Sequence, residues 1–144
     1  MRNEFGAAGL ALLAMIVAAH ADVLITPREA KLPDADKRDR GPMAGPRVLL
    51  VAPLRDAKSI KSPFSLEIRF EPRDGAPIDL NTLVVTYEKS PPVDLTERLK
   101  PYLSPTGIAM PQAETPPGEH RLHIEIKDVL GRVGGTEFAI DAAP

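Results

Sequence analysis

The run Gly118-Glu-His-Arg-Leu-His-Ile-Glu-Ile-Lys-Asp-Val-Leu-Gly-Arg132 decides the fold. From His120 onward it alternates. His120, Leu122, Ile124 and Ile126 fall on one face, and Arg121, His123, Glu125 and Lys127 on the other. A period of two marks a β-strand with one dry and one wet face. The strand ends at Asp128, and Gly131 lets the chain turn at positive φ. A second alternating run follows, with Thr136, Phe138 and Ile140 on one side. The pair predicts an antiparallel hairpin whose apolar face needs a second layer over it.

Working outward, Phe64 to Phe70 repeats the pattern. Phe64, Leu66, Ile68 and Phe70 point one way, and Ser65, Glu67 and Arg69 the other. Each such apolar group contributes ~1.5–3 kcal/mol when fully buried, so a one-residue slip would be costly. Pro63 and Pro72 bracket this strand, and Asp74-Gly75 supplies a turn. Arg47 to Pro53 and Leu83 to Glu88 read as further strands, the latter rich in β-branched residues. Ser90-Pro91-Pro92 breaks the pattern. Asp94-Leu-Thr-Glu97 resembles a helix start, with Asp94 as cap and Glu97 reaching back, and Pro101 keeps that helix short. Ile108 to Met110 reads as a brief strand, and Pro116-Pro117-Gly118 leads into the hairpin. Six or seven strands with almost no helix suit an all-β, two-sheet sandwich with one short helical crossover. With four Phe, two Tyr and no Trp, the core is expected to be mainly aliphatic.

The N-terminal part differs in composition. Met1 to Ala21 reads as an export signal: Arg2 gives a positive start, Ala7 to Ala19 is apolar, and Ala19-His20-Ala21 has the small-x-small form of a cleavage site. Retention as an uncleaved anchor is the other reading of this stretch. Residues 22–45, with several Pro and the run Asp34-Ala-Asp-Lys-Arg-Asp-Arg40, read as a flexible charged tether. Within it Val23, Leu24 and Ile25 could add a short edge strand. Residues 46–144 then form the sandwich domain. The chain has no Cys, so its stability rests on its core rather than on disulfides. A net charge of −2 with mixed signs gives no electrostatic case for nucleic acid or anionic membranes.

The order of these features resembles that of bacterial immunoglobulin-like domains. The motifs are Val48-Leu-Leu-Val-Ala-Pro53, the β run Phe64 to Gly75, and the finish Pro116-Pro-Gly-Glu-His120, Leu122 to Ile126, Asp128-Val-Leu-Gly131 and Thr136 to Ile140. The likeness covers about Pro46 to Ala142. It departs at His120, where those domains usually place Tyr, and in the helical segment Asp94 to Tyr102. The resemblance implies an immunoglobulin-like β-sandwich used for adhesion, spacing or binding, and no particular substrate.

Beyond the signal only His120 and His123 occur, three apart on a strand, so they point to opposite faces and cannot jointly grip one ion. Met43 and Met110 hint at copper, but Met43 lies in the tether. No metal site is expected. His120 reads as an inward ring bonded to a nearby backbone group, as a corner Tyr is in related sandwiches. Asp74, Asp79, Asp94 and Asp128 lack the spacing of a calcium loop, and Asp128 is expected to accept turn amides. Ser59, Ser62, Ser65, Ser90 and Ser104 sit in no nucleophile turn, and Arg132-Val-Gly-Gly135 has no strand-to-helix context for phosphate. No catalytic or cofactor-binding residue is expected, and no cofactor. The face of Arg121, His123, Glu125 and Lys127, or a free sheet edge, remains as a partner surface. The expected function is that of an exported, non-catalytic binding or structural accessory of the envelope, periplasmic or secreted. It would be monomeric and partnered by another envelope protein or a glycan. The alternative is a small periplasmic metal-handling sandwich of the copper-carrier kind.

Overall fold

The computed structural model describes residues 21–144. The export signal read over Met1 to Ala21 therefore lies, but for Ala21, outside the described residues. Among those residues no helix is long and apolar enough to cross a membrane.

The chain is a two-sheet all-β sandwich. Its elements are β1 (Asp22–Val23), α1 (Pro27–Ala30), β2 (Arg47–Ala52), β3 (Phe64–Glu71), β4 (Ile78–Tyr87), β5 (Val93–Asp94), α2 (Thr96–Leu99), a 3-10 turn (Lys100–Tyr102), β6 (Leu103–Ser104), β7 (Gly107–Glu114), β8 (Gly118–Asp128) and β9 (Val133–Ala142). One sheet runs β1-β7-β3-β2, with β6 also on β7; the other runs β5-β4-β8-β9. The expected hairpin is β8–β9, in unbroken register from Gly118↔Ala142 to Lys127↔Val133. The helical crossover, α2 and the 3-10 turn, carries the chain from the second sheet to the first.

The inward faces are those the alternation marks. Phe64, Leu66, Ile68 and Phe70 of β3 meet Leu122, Ile124 and Ile126 of β8 and Phe138 and Ile140 of β9 in one core, joined by Val85, Tyr87, Leu95, Leu99, Ile108 and Met110. At one side the sheets close on each other. A Cβ on Gly134 of β9 would run into the backbone of Pro46, so this seam needs glycine.

Three local expectations need correction. Strand β7 runs the full length Gly107–Glu114, not only Ile108 to Met110. Pro111 does not end it, because the register shifts between Phe64↔Ala113 and Leu66↔Met110. Two residues of β7 there oppose Ser65 alone, and in such a bulge Pro forfeits no ladder bond. The Asp94–Glu97 capping box does not form. Asp94 accepts from the Thr96 amide (2.9 Å) and hydroxyl (2.6 Å), while Glu97 pairs with Lys100. Among the described residues the strand total is higher than expected because β5 and β6 are two-residue pairings too short to show a period.

Residues 22–45, read as a tether, are laid against the sandwich at both ends. β1 pairs parallel with β7, as the apolar Val23-Leu-Ile25 suggests, and Leu24 and Ile25 are fully buried. α1 carries a capping box: Glu29 N donates to Thr26 Oγ1 and Thr26 N to Glu29 Oε1. Glu29 also takes both arms of Arg98, at 2.7 and 2.8 Å, and Arg98 reaches the Leu24 carbonyl at 2.9 Å. This fork clasps α1 to α2. Further on, the Ser90 amide donates to the Pro33 carbonyl, the Ala35 amide to the Glu88 carbonyl, and the Gly45 amide to the Val133 carbonyl.

The Arg98 fork holds the Glu29 carboxyl down from 4.5 to about 2. A depressed acid stabilises the fold fully above its ordinary pKa and loses that contribution as the pH falls toward its folded value. Glu29→Gln is therefore expected to lower stability near neutral pH by about 1–2 kcal/mol. Urea midpoints of the two proteins should differ at pH 7 and draw together at pH 3.

Candidate functional site

The second sheet places its polar groups in three groups, one inside and two outside. Inside, His120 opens the buried face of β8. Its Nε2 lies 2.7 Å from the Pro116 carbonyl, and its Nδ1 2.8 Å from the Tyr87 hydroxyl. A carbonyl only accepts, so Nε2 carries the proton and Nδ1 accepts from Tyr87. The two rings meet edge to face at 5.7 Å. Burial pushes the His120 pKa below its usual 6.5, more than the Pro116 bond raises it. The ring thus takes the expected corner role, as a neutral brace between the start of β8 and the end of β4.

On the outer face the expected wet row is only partly wet. Lys127 is exposed and Arg121 and Glu125 are half-buried, but His123 is 3% exposed. The reason is the segment before β2. Arg38, Arg40, Gly41 and Met43 line one groove with His123 and Glu137. Arg40 Nη2 donates to Glu88 Oε1 at 2.7 Å, and Arg121 Nη2 to the Ala35 carbonyl at 2.6 Å. Under this cover one nitrogen of His123 and one oxygen each of Glu88 and Glu137 lie within 4.8 Å of one another. Glu125 Oε1 stands 3.3 Å from His123 Nε2, yet neither ring nitrogen has a hydrogen-bond partner. One imidazole and two carboxylates form a donor set suited to a divalent ion.

At the far end, the turn after β8 is tied down. Asp128 accepts from the Leu130 and Arg132 amides through Oδ1, and from the Arg132 guanidinium through Oδ2, at 2.8–3.0 Å. Burial raises the Asp128 pKa, but these donors outweigh it and hold the carboxyl below its usual value. Arg132 continues to Asp74 Oδ2 (2.9 Å) and to the Arg73 carbonyl (3.0 Å), and Val129 N donates to the Pro77 carbonyl (3.0 Å). Gly131 takes φ +79°. On this fixed tip Val129 and Leu130 stand 57% and 69% exposed.

The other candidate residues are placed apart. Asp79 accepts from the Asn81 amide and Asp94 serves Thr96, so these two carboxylates each act within their own turn. Met110 is in the core, while Met43 lines the groove beside His123. Ser62 Oγ accepts from the Thr115 amide, and Ser104 bonds Thr106; both ring nitrogens of His120 are engaged elsewhere. Gly134 and Gly135 lie in β9, as the bulge-or-strand reading of that motif expects. The free edge of β9 is occupied by the chain itself: Arg55 reaches the Glu137 carbonyl, and Ile60 exchanges backbone bonds with Asp141 and Ala143. That leaves it unsuited to strand addition. Sequence reasoning missed Glu88 and Glu137 as neighbours of His123. The hairpin register alone would have found Glu137, since the turn after Asp128 sets it opposite His123.

Comparison with protein-family models, with curated proteins and with solved structures finds no match.

His120→Phe keeps the ring volume but strands the Tyr87 hydroxyl and the Pro116 carbonyl. It is expected to cost about 2–4 kcal/mol. The native fold holds His120 neutral while the unfolded chain protonates near 6.5, so wild-type stability should fall as pH drops below that value. Urea unfolding at pH 7.5 and 5.5 should show this slope reduced in His120→Phe; equal stability of the two proteins at pH 7.5 would contradict the brace.

Proposed function

We propose that the chain is an exported, non-catalytic immunoglobulin-like module of the cell envelope that binds another protein through the β8–β9 tip. Two features support the immunoglobulin-like reading. The strand order sets β2, β3 and β7 against β5, β4, β8 and β9, the layered arrangement with crossing connections expected of such sandwiches. His120, bonded to the carbonyl four residues upstream, fills the place of the corner Tyr. Export rests on the reading of Met1 to Ala21.

The observation that carries the binding role is the tip. Loops that present function on a rigid scaffold are the common pattern in sandwiches. Here the Asp128–Arg132–Asp74 network fixes the turn, so docking would order little further backbone. Two adjacent exposed aliphatic side chains lose hydration free energy only when covered, and they suit a protein surface better than a glycan. A second reading, a small metal-handling sandwich, has the Glu88–His123–Glu137 cluster in its favour.

A photo-crosslinking residue in place of Val129, used with envelope extract, should give a discrete protein adduct that the same residue at the exposed Glu67 of β3 does not give. Leu130→Ser should abolish capture without moving the melting midpoint. The same adducts from both positions, or undiminished capture by Leu130→Ser, would count against the tip.

A further inference from the structure

The two buried histidines of β8 are three residues apart and differ sharply. His120 has both ring nitrogens bonded, whereas His123, equally buried, has neither. An unpaired buried polar group is costly, so native chains rarely keep one without a use. Register explains what surrounds it. His123 stands opposite Glu137 on β9 and opposite Thr86 on β4, and Glu88 is the next outward residue after Thr86. Strands β8 and β9 and the residue just past the end of β4 thus bring an imidazole and two carboxylates to one point.

We infer that Glu88, His123 and Glu137 bind a divalent transition-metal ion of the zinc class. A nitrogen donor with two oxygens favours such ions over calcium or magnesium, which take oxygen ligands. Donors within 4.8 Å of one another need to close to ~3.4 Å around an ion at ~2.1 Å, a side-chain adjustment of about 1 Å. The dication cancels two carboxylate charges and leaves His123 neutral. Met43 and Glu125 stand at the rim and offer further donors.

The site has a built-in competitor. Arg40 holds Glu88 at 2.7 Å, and Arg121 lies 3.8 Å from Glu137. Of the other groove arginines, Arg47 is turned to Glu71 and Arg73 to the Gly45 carbonyl. Arg40 sits in residues 37–44, a stretch outside any strand or helix, so it can leave Glu88 without breaking a ladder. Ion binding and the Arg40–Glu88 pair exclude each other.

This inference stands apart from the hairpin-tip reading, and the two fail separately. The untagged chain is titrated calorimetrically with Zn2+, and with Co2+ followed by visible absorption. Binding of one ion per chain is expected, with no matching response to Ca2+ or Mg2+. Glu137→Gln and His123→Gln should each weaken affinity by ~10–100-fold or more. Arg40→Gln should tighten it by removing the competitor. Glu137 is one-third exposed, so its variant tests the site even if His123→Gln fails to fold. Absence of one-to-one binding, or affinity unchanged in Glu137→Gln, would overturn the site; dependence on His20 instead would assign the ion to the N-terminal segment.

Discussion

Strand β8 lies at the centre of the second sheet, and everything around it depends on the fact that both its faces are spoken for. Its even-numbered side chains from His120 to Ile126 meet the first sheet and are nine-tenths or more buried. An apolar row of this kind fixes register strongly, since a shift of one residue would put Arg121, Glu125 and Lys127 into the core. From that register follow the pairing with β4 and β9 and the placing of the corner His120 against Tyr87. The convergence of polar groups on the opposite face has the same origin.

That opposite face is where the molecule departs from a plain sandwich. A sheet with one solvated face needs nothing on it. Here residues 33–45 cross part of it and hold on by backbone bonds to Glu88, Ser90 and Val133 and by the Arg40–Glu88 pair. Charge pairing makes this packing affordable: Lys89, 6% exposed, reaches Asp34 at 2.6 Å and lies 5.2 Å from the Tyr87 ring centre. The segment turns the middle of a wet row into an interior, and it is this cover that makes His123 a buried group.

How much of this the residues announce differs by element. The hairpin, β3 and the inward His120 are legible because a two-residue period needs no partner to be read. The same holds for Asp128 and Gly131, whose turn chemistry is local. The helix α1 had its signal in Thr26-Pro-Arg-Glu29, but the surrounding charge and proline speak for a disordered spacer, and only burial of Leu24 and Ile25 decides otherwise. The Glu88–His123–Glu137 cluster divides in the same way. Glu137 follows from a hairpin turn close in sequence, whereas Glu88 depends on β4 pairing with β8 across an intervening helix and three strands, which no local pattern encodes. The run of β7 past Met110 is hidden for a related reason: a bulge exists only as a mismatch between two strands, so one strand's sequence cannot show it.

Amide hydrogen exchange along residues 122–125, where β8 is paired with both β4 and β9, tests the doubly covered strand most directly, because amides of an antiparallel strand donate alternately to its two neighbours. The account predicts that odd- and even-numbered amides in this stretch exchange equally slowly and are among the slowest in the molecule. Fast exchange throughout, or protection confined to one parity, would contradict it.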